Sequence, residues 1–423
     1  MASSGCGLRP RRSAWWVGIL PLALAVLALG CASHRTGDLR FPDVPVIDLA
    51  AGAVEILPGT GVLDSPVLSA DGNRLAVQVE VYEDPLLPYE IYSLGVAEKD
   101  DSGTWRPVEI VRKGVYRRFL GHMEMPVQPS FDETGERIVL TQIEFDSVLR
   151  IPWRPSVRSW VERIPWKGGT PEPLVEYWDW AMKPTELLQH ARVSPDGRWL
   201  TFYTRVHEHT QGVYLLDLRT GQHYRLSDRH DKHPTWSPDG RRIYFHTTFG
   251  GKRHRFDFFA RGIERSILGF FELDFADGEL VRWHRRLLDD ADDRFIYHKH
   301  PTEVAGTGLL FFHGRLDPDG NMKLMVRLAE PGSDVFVVRP RWNEKAVKAA
   351  KHPCSSHQVA DLVFIAKPKG EKDYRLMMAL TDEALKLIAG LVGGDASGVG
   401  RLLPSRVAPE GPSTMSPIDV DAR

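Results

Sequence analysis

Four histidines occupy one position of a recurring pattern. His233, His300 and His352 are each followed by proline, and His190 by Ala191, at the start of a short extended run. Neutral imidazoles are good ligands for zinc, manganese or iron, and ligands far apart in sequence can share one ion if the fold brings them together. Two earlier copies of the pattern place Ser65 and Gln128 at the same position. A ring of this composition is uneven and would leave a coordination place for water or substrate. The plainer expectation is that each histidine bonds a neighbouring loop or packs on its proline. No other linear chemistry competes. The chain has no Gly-x-Ser-x-Gly elbow, phosphate loop, dinucleotide fingerprint or His-Glu-x-x-His.

The elements that must position these histidines are strands. "HPTWSPDGRRIYFHT" (233–247) holds a proline-started strand, a Ser-Pro-Asp-Gly turn and a second, apolar strand. Proline at a strand start does little harm through its missing N–H. In the tetrad, proline presets the first corner, aspartate bonds nearby backbone and glycine accepts positive φ. The tetrad returns as "SPDGRWLTFYT" (194–204) and more loosely as "SADGNRLAVQV" (69–79) and "SFDETGERIVLTQ" (130–142). Frames without it begin at His300 and His352. Starts at Pro66, Pro129, Ala191, Pro234, Pro301 and Pro353 make six frames. "VYLLDLRTGQHYRLS" (213–227) supplies a third and fourth strand, and "FFELDFADGELVRW" (270–283) repeats the form.

The expectation is an all-β chain, a six-bladed β-propeller of four-stranded antiparallel blades. Residues 44–391 form it, with the N-terminal strand closing the last blade. "VIDLAAGAVEIL" (46–57) resembles the outer half of an internal blade, and 53–57 would complete the blade begun at His352. The tetrads at Ser194–Gly197 and Ser237–Gly240, with their flanking strands, resemble the TolB-type propeller family, which implies six blades and, propellers being versatile, little about activity. The His-Pro frames resemble those of oligogalacturonate lyases, a resemblance that implies a histidine-bound metal.

Segments 146–189 and 250–293 read as insertions. The first carries Trp153, Trp160, Trp166, Trp178 and Trp180, which suit packing between blades better than a binding surface. The acidic run Asp289-Asp290 with Asp292-Asp293 reads as a solvated loop, because it lacks calcium-loop spacing. Residues 381–394 read as one short helix or a last strand.

At the N-terminus Arg9, Arg11 and Arg12 precede an apolar run, Trp15 to Leu29, interrupted by Pro21. Gly30 and Cys31 follow. Residues 1–30 resemble a bacterial lipoprotein signal peptide, with Ala28 departing from the usual leucine. The resemblance implies lipidation at Cys31, a tether over 31–43 and attachment to the cell envelope, at the outer membrane facing the periplasm. Residues 392–423 read as a disordered tail.

The formal net charge of −2 over 423 residues excludes a nucleic-acid binder by bulk electrostatics. The expected protein is a lipid-anchored, monomeric envelope propeller that binds a partner protein or a cell-wall ligand. The competing expectation is a metal-dependent lyase or hydrolase at the channel mouth, with His190, His233, His300 and His352 as metal ligands and no other cofactor.

Overall fold

The computed structural model describes residues 44–49, 52–61, 63–82, 91–117, 122–146, 156–179, 188–204, 211–227, 230–249, 265–289, 297–316, 320–367, 374 and 376–393. The described chain is all-β apart from one helix, and its strands form successive four-stranded antiparallel sheets, as a propeller requires. In chain order the sheets span 63–112, 115–179, 189–225, 231–287, 297–339 and 349–380. The second adds a short edge strand, Val115–Arg117, and a single parallel bridge from Ser266 to Tyr297 joins the fourth to the fifth.

The tetrads build the turn between the first two strands of a sheet. In the fourth sheet Ser237 Oγ donates to Asp239 Oδ1 (2.6 Å) and accepts from Arg242 N (2.9 Å). Gly240, at φ +68°, donates its N–H to Ser237 O. The looser "SADG" copy behaves identically through Ser69, Asp71 and Arg74. One serine hydroxyl therefore satisfies the backbone where the ladder opens into the turn.

Apolar residues pack between neighbouring sheets rather than within one. Leu94 and Val96 of the first sheet meet Ile138 and Leu140 of the second. Val139 and Val161 then meet Leu200 and Phe202. Trp199 and Leu215 meet Phe245 and Phe271, and Tyr244 and Phe270 meet Leu310 and Phe312. Phe311 and Val326 meet Phe364 and Met378. In the last such cluster Val363, Ile365 and Met377 meet Leu63, Leu75 and Val77, so the sixth sheet packs on the first. Each fully buried Phe or Leu contributes about 1.5–3 kcal/mol to holding a sheet on its neighbour.

The N-terminal segment fastens the chain ends. Ala53–Glu55 is the fourth strand of the last sheet, with Ala53 opposite Leu380 and Glu55 opposite Met378. The blade-like look of 46–57 misleads in one respect. Val46–Asp48 does not fold back on Ala53–Glu55 but runs parallel to Phe336–Arg339 of the preceding sheet. The segment is thus a strap over two sheets. Gly52 (φ +95°) turns it where a Cβ would come within 2.7 Å of Ala384.

Of the two readings of the stretch from Thr381, the helix is found: it spans Asp382–Gly393, capped by Thr381, whose Oγ1 accepts Ala384 N, so the expected disordered tail does not begin at 392, because Val392 and Gly393 complete the helix. Much of each expected insertion is regular strand: Ser156–Pro165, Glu172–Asp179, Arg265–Ala276 and Glu279–Leu287 are outer strands of their sheets. Trp160 and Trp166 are half-buried, and Trp166 packs beside Arg74; Trp153, Trp180 and the side chain of Trp178 lie outside the described residues. Asp289 is not solvated. It is buried, accepts from Leu268 N and Arg327, and meets His298 Nδ1 at 3.0 Å. The sequence misled there because acidic runs are usually exposed, whereas this carboxylate neutralises a buried arginine. The signal region 1–30, Cys31 and residues 394–423 lie outside the described residues.

Candidate metal centre

Six inner strands carry the same irregularity. The antiparallel register slips between Asp64 and Val67, Val127 and Ser130, Gln189 and Arg192, Lys232 and Thr235, Lys299 and Thr302, and Lys351 and Cys354. Each slip is a β-bulge, and its first residue is Ser65, Gln128, His190, His233, His300 or His352. All six have φ between 45° and 54°. A side chain at positive φ costs about 1–2 kcal/mol. Such strain persists where the surroundings over-determine it, and it re-aims the side chain. At five of the six bulges the following residue is proline, which has no N–H and so leaves one fewer backbone donor to satisfy; Ala191 follows His190.

The bulges bring the four histidines together. Ring centroids are 4.0 Å apart for His190–His233, 3.9 Å for His233–His300 and 4.3 Å for His300–His352. Two histidines that sequence reasoning passed over join them. His246 lies 4.5 Å from His233, and His313 lies 4.8 Å from His300. Both stand on the second strand, thirteen residues after the bulge histidine of their own frame, where the other frames have Gln78, Thr141, Tyr203 and Ile365. That fixed offset was the available signal.

The metal-ligating nitrogens of His300, His313 and His352 all lie within 4.8 Å of one another. A metal at about 2.0–2.1 Å from each nitrogen needs tetrahedral ligands roughly 3.4 Å apart, so the three rings would have to draw together to share one ion. Of the four histidines chosen from sequence, two belong to this trio; His190 and His233 stand beside it. His246 is fully buried, and among the described residues neither of its ring nitrogens has a hydrogen-bond partner; His233 Nδ1 also lacks one there. Buried polar atoms left this way are costly unless something else satisfies them.

Electrostatics keep five of these rings neutral. Burial, first of all, pushes His190, His233, His246, His300 and His313 well below the ordinary histidine value, and neighbouring positive groups such as Arg192 and Lys299 push further. Neutral imidazole is the form that binds metal. One carboxylate serves the site: Asp64 Oδ1 lies 2.5 Å from His352 Nδ1 and 3.5 Å from Lys351 Nζ. Burial raises the Asp64 pKa, but His352 and Lys351 outweigh it and hold the group well below the carboxylate range. Imidazoles with one carboxylate suit zinc, iron or manganese better than calcium or magnesium.

No protein-family model matches the chain, and no curated protein matches it. Among solved structures it is similar to TolB from Acinetobacter baumannii (17% identity, TM-score 0.44), covering 75% of this chain and 66% of that one, just under two thirds of its length. It is also similar to an oligogalacturonate lyase in complex with manganese (13% identity, TM-score 0.43; 77% of this chain, 78% of that one). A puromycin hydrolase shares 12% identity at TM-score 0.42, over 80% of this chain and 56% of that one. The likeness to TolB proteins and other propeller proteins is one of fold.

Proposed function

We propose that the chain is a six-bladed, lipid-anchored propeller of the cell envelope that holds a divalent transition metal in its central channel. The observation that carries the metal is the His300–His313–His352 trio, with the fully buried, unpartnered His246 beside it. Six blades are supported by the sheet-to-sheet clusters, the last of which links the sixth sheet back to the first. Three imidazoles leave coordination positions for water or a ligand. The centre thus gives a binding module its ligand position, and the same open position is what a metal-dependent lyase or hydrolase needs. When bound, the metal supplies a Lewis acid. The chain's own residues orient the rings through the bulges and set Asp64 as counter-charge.

Protein purified without chelator should contain close to one equivalent of metal by elemental analysis, and His313→Ala should lose it. Wild-type protein that is metal-free and takes up neither zinc nor manganese overturns this reading. Envelope anchoring is tested separately. Cys31→Ala should leave the membrane fraction or retain its signal; a variant processed and fractionated like wild type excludes lipidation.

A further inference from the structure

Two residues past each bulge the inner strands present a second set of side chains: Val67, Ser130, Arg192, Thr235, Thr302 and Cys354. They line one cavity of about 40 Å³ together with Ser355 and His357. A water needs roughly 10–15 Å³ of such space, so there is room for a group of a few heavy atoms.

Arg192 is the one cation in this lining, and no carboxylate pairs with it among the described residues. Its Nη1 donates to the Pro129 carbonyl, with the Gln128 and Ala191 carbonyls at 3.4 Å. Nε and Nη2 have no protein partner among the described residues. That edge of the guanidinium is the fork that grips an oxyanion through two parallel hydrogen bonds. The two acidic residues of the lining are turned elsewhere: Asp132 accepts from Thr134 and from Arg137 N, and Glu133 lies over the Gly197 turn.

The neighbouring titratable groups leave the positive charge uncancelled. Burial lowers His357 to about 4, with Arg192 adding to the effect, so the ring is neutral. The Cys354 sulfur is engaged with the strand backbone, accepting Leu68 N at 3.4 Å. Thr302 Oγ1 accepts Ser355 N and keeps its own proton to donate; the Thr235 hydroxyl has no protein partner among the described residues.

We propose that this cavity is an anion site in which the Nε–Nη2 edge of Arg192, assisted by the hydroxyls of Thr235 and Thr302, holds a small oxyanion: phosphate, sulfate or the terminal carboxylate of a larger ligand. The site does not rest on the metal reading. Its side chains stand two residues further along the inner strands than the bulge histidines.

The test is calorimetric titration of chelator-treated full-length protein with phosphate, sulfate and acetate at constant ionic strength. One of the three should bind with one-to-one stoichiometry. Arg192→Gln should weaken that binding at least tenfold, since a hydrogen bond to a charged group is worth about a factor of ten or more. Thr302→Val should weaken it severalfold with the arginine in place, which keeps the test decisive if Arg192→Gln does not fold. Failure of all three anions to bind, or equal binding by wild type and Thr302→Val together with Arg192→Gln, overturns the proposal. Preferential binding of phosphate or sulfate identifies a free oxyanion; preferential binding of acetate identifies a carboxylate ligand. Because metal is stripped first, loss of the metal reading leaves this result intact.

Discussion

The inner ring divides into two arcs built on one backbone. In the amide arc Gln128 N donates to Gln78 Oε1, and His190 N donates to Gln128 Oε1, both at 2.8 Å. Each side chain there satisfies the bulge of the next sheet. In the imidazole arc, from His233 to His300, that relay is missing. His246 occupies the position of Gln78, yet neither of its nitrogens has a partner among the described residues, and the relay resumes only where His352 N donates to His313 Nδ1 at 3.1 Å. Both arcs share the positive φ and its strain. The bulge is therefore a property of the fold, and the chemistry is decided by the side chain placed on it. Where the side chain is an amide it stabilises the ring; at His233 and His246 the ring forgoes those hydrogen bonds and leaves imidazole nitrogens unpaired among the described residues.

The two arcs meet at a seam between His352 and Asp64, and the strap over 44–57 holds that seam shut by pairing Ala53–Glu55 with Leu376–Leu380. Deleting 44–57 should have the largest effect. It exposes an edge strand and uncovers apolar contacts, a loss of more than about 4 kcal/mol. A melting temperature unchanged by the deletion would show that the arcs are held together by something else.

Acid should act on the imidazole arc. Its rings are neutral in the folded state because their pKa values lie well below the ordinary 6.5, which the unfolded chain retains. Between those limits the unfolded chain binds more protons. The stability these neutral rings allow is fully present above about pH 6.5 and is lost as pH falls toward the folded-state values. Denaturant melts of chelator-treated protein should therefore show stability declining from neutral pH downward, and a flat profile between pH 7 and 5 would contradict neutral burial.

Side-chain replacement should then separate the arcs by sign. Gln128→Leu strands the His190 N–H and should cost about 1–3 kcal/mol. His246→Leu removes two unsatisfied buried nitrogens and should be neutral or stabilising by up to about 2 kcal/mol in metal-free protein. Equal destabilisation by both, read from urea midpoints, would erase the distinction. The smallest effect is expected at Ser65→Gly. Relief of positive φ is offset by the entropy of glycine, leaving a gain below about 1 kcal/mol with metal content unchanged.

The sequence by itself determined the strands, the turns and the frame. Ser237-Pro238-Asp239-Gly240 and its copies specify a turn through local bonds, and the alternating apolar runs specify the strands, because both depend on neighbours a few residues away. It also determined that Ser65, Gln128, His190, His233, His300 and His352 are equivalent, since repetition is visible without coordinates. Tertiary structure decided the rest. Nothing local says that these residues adopt positive φ, because the strain is offset only by ladders on both sides of the bulge. The choice of His300, His313 and His352 as the trio depends on distances between strands of different sheets, and so does the partnering of Asp64 with His352. The fate of 46–57 was decided the same way. Its sequence suits a hairpin, but the outer edges of two different sheets needed covering, and burying both outweighed a local turn.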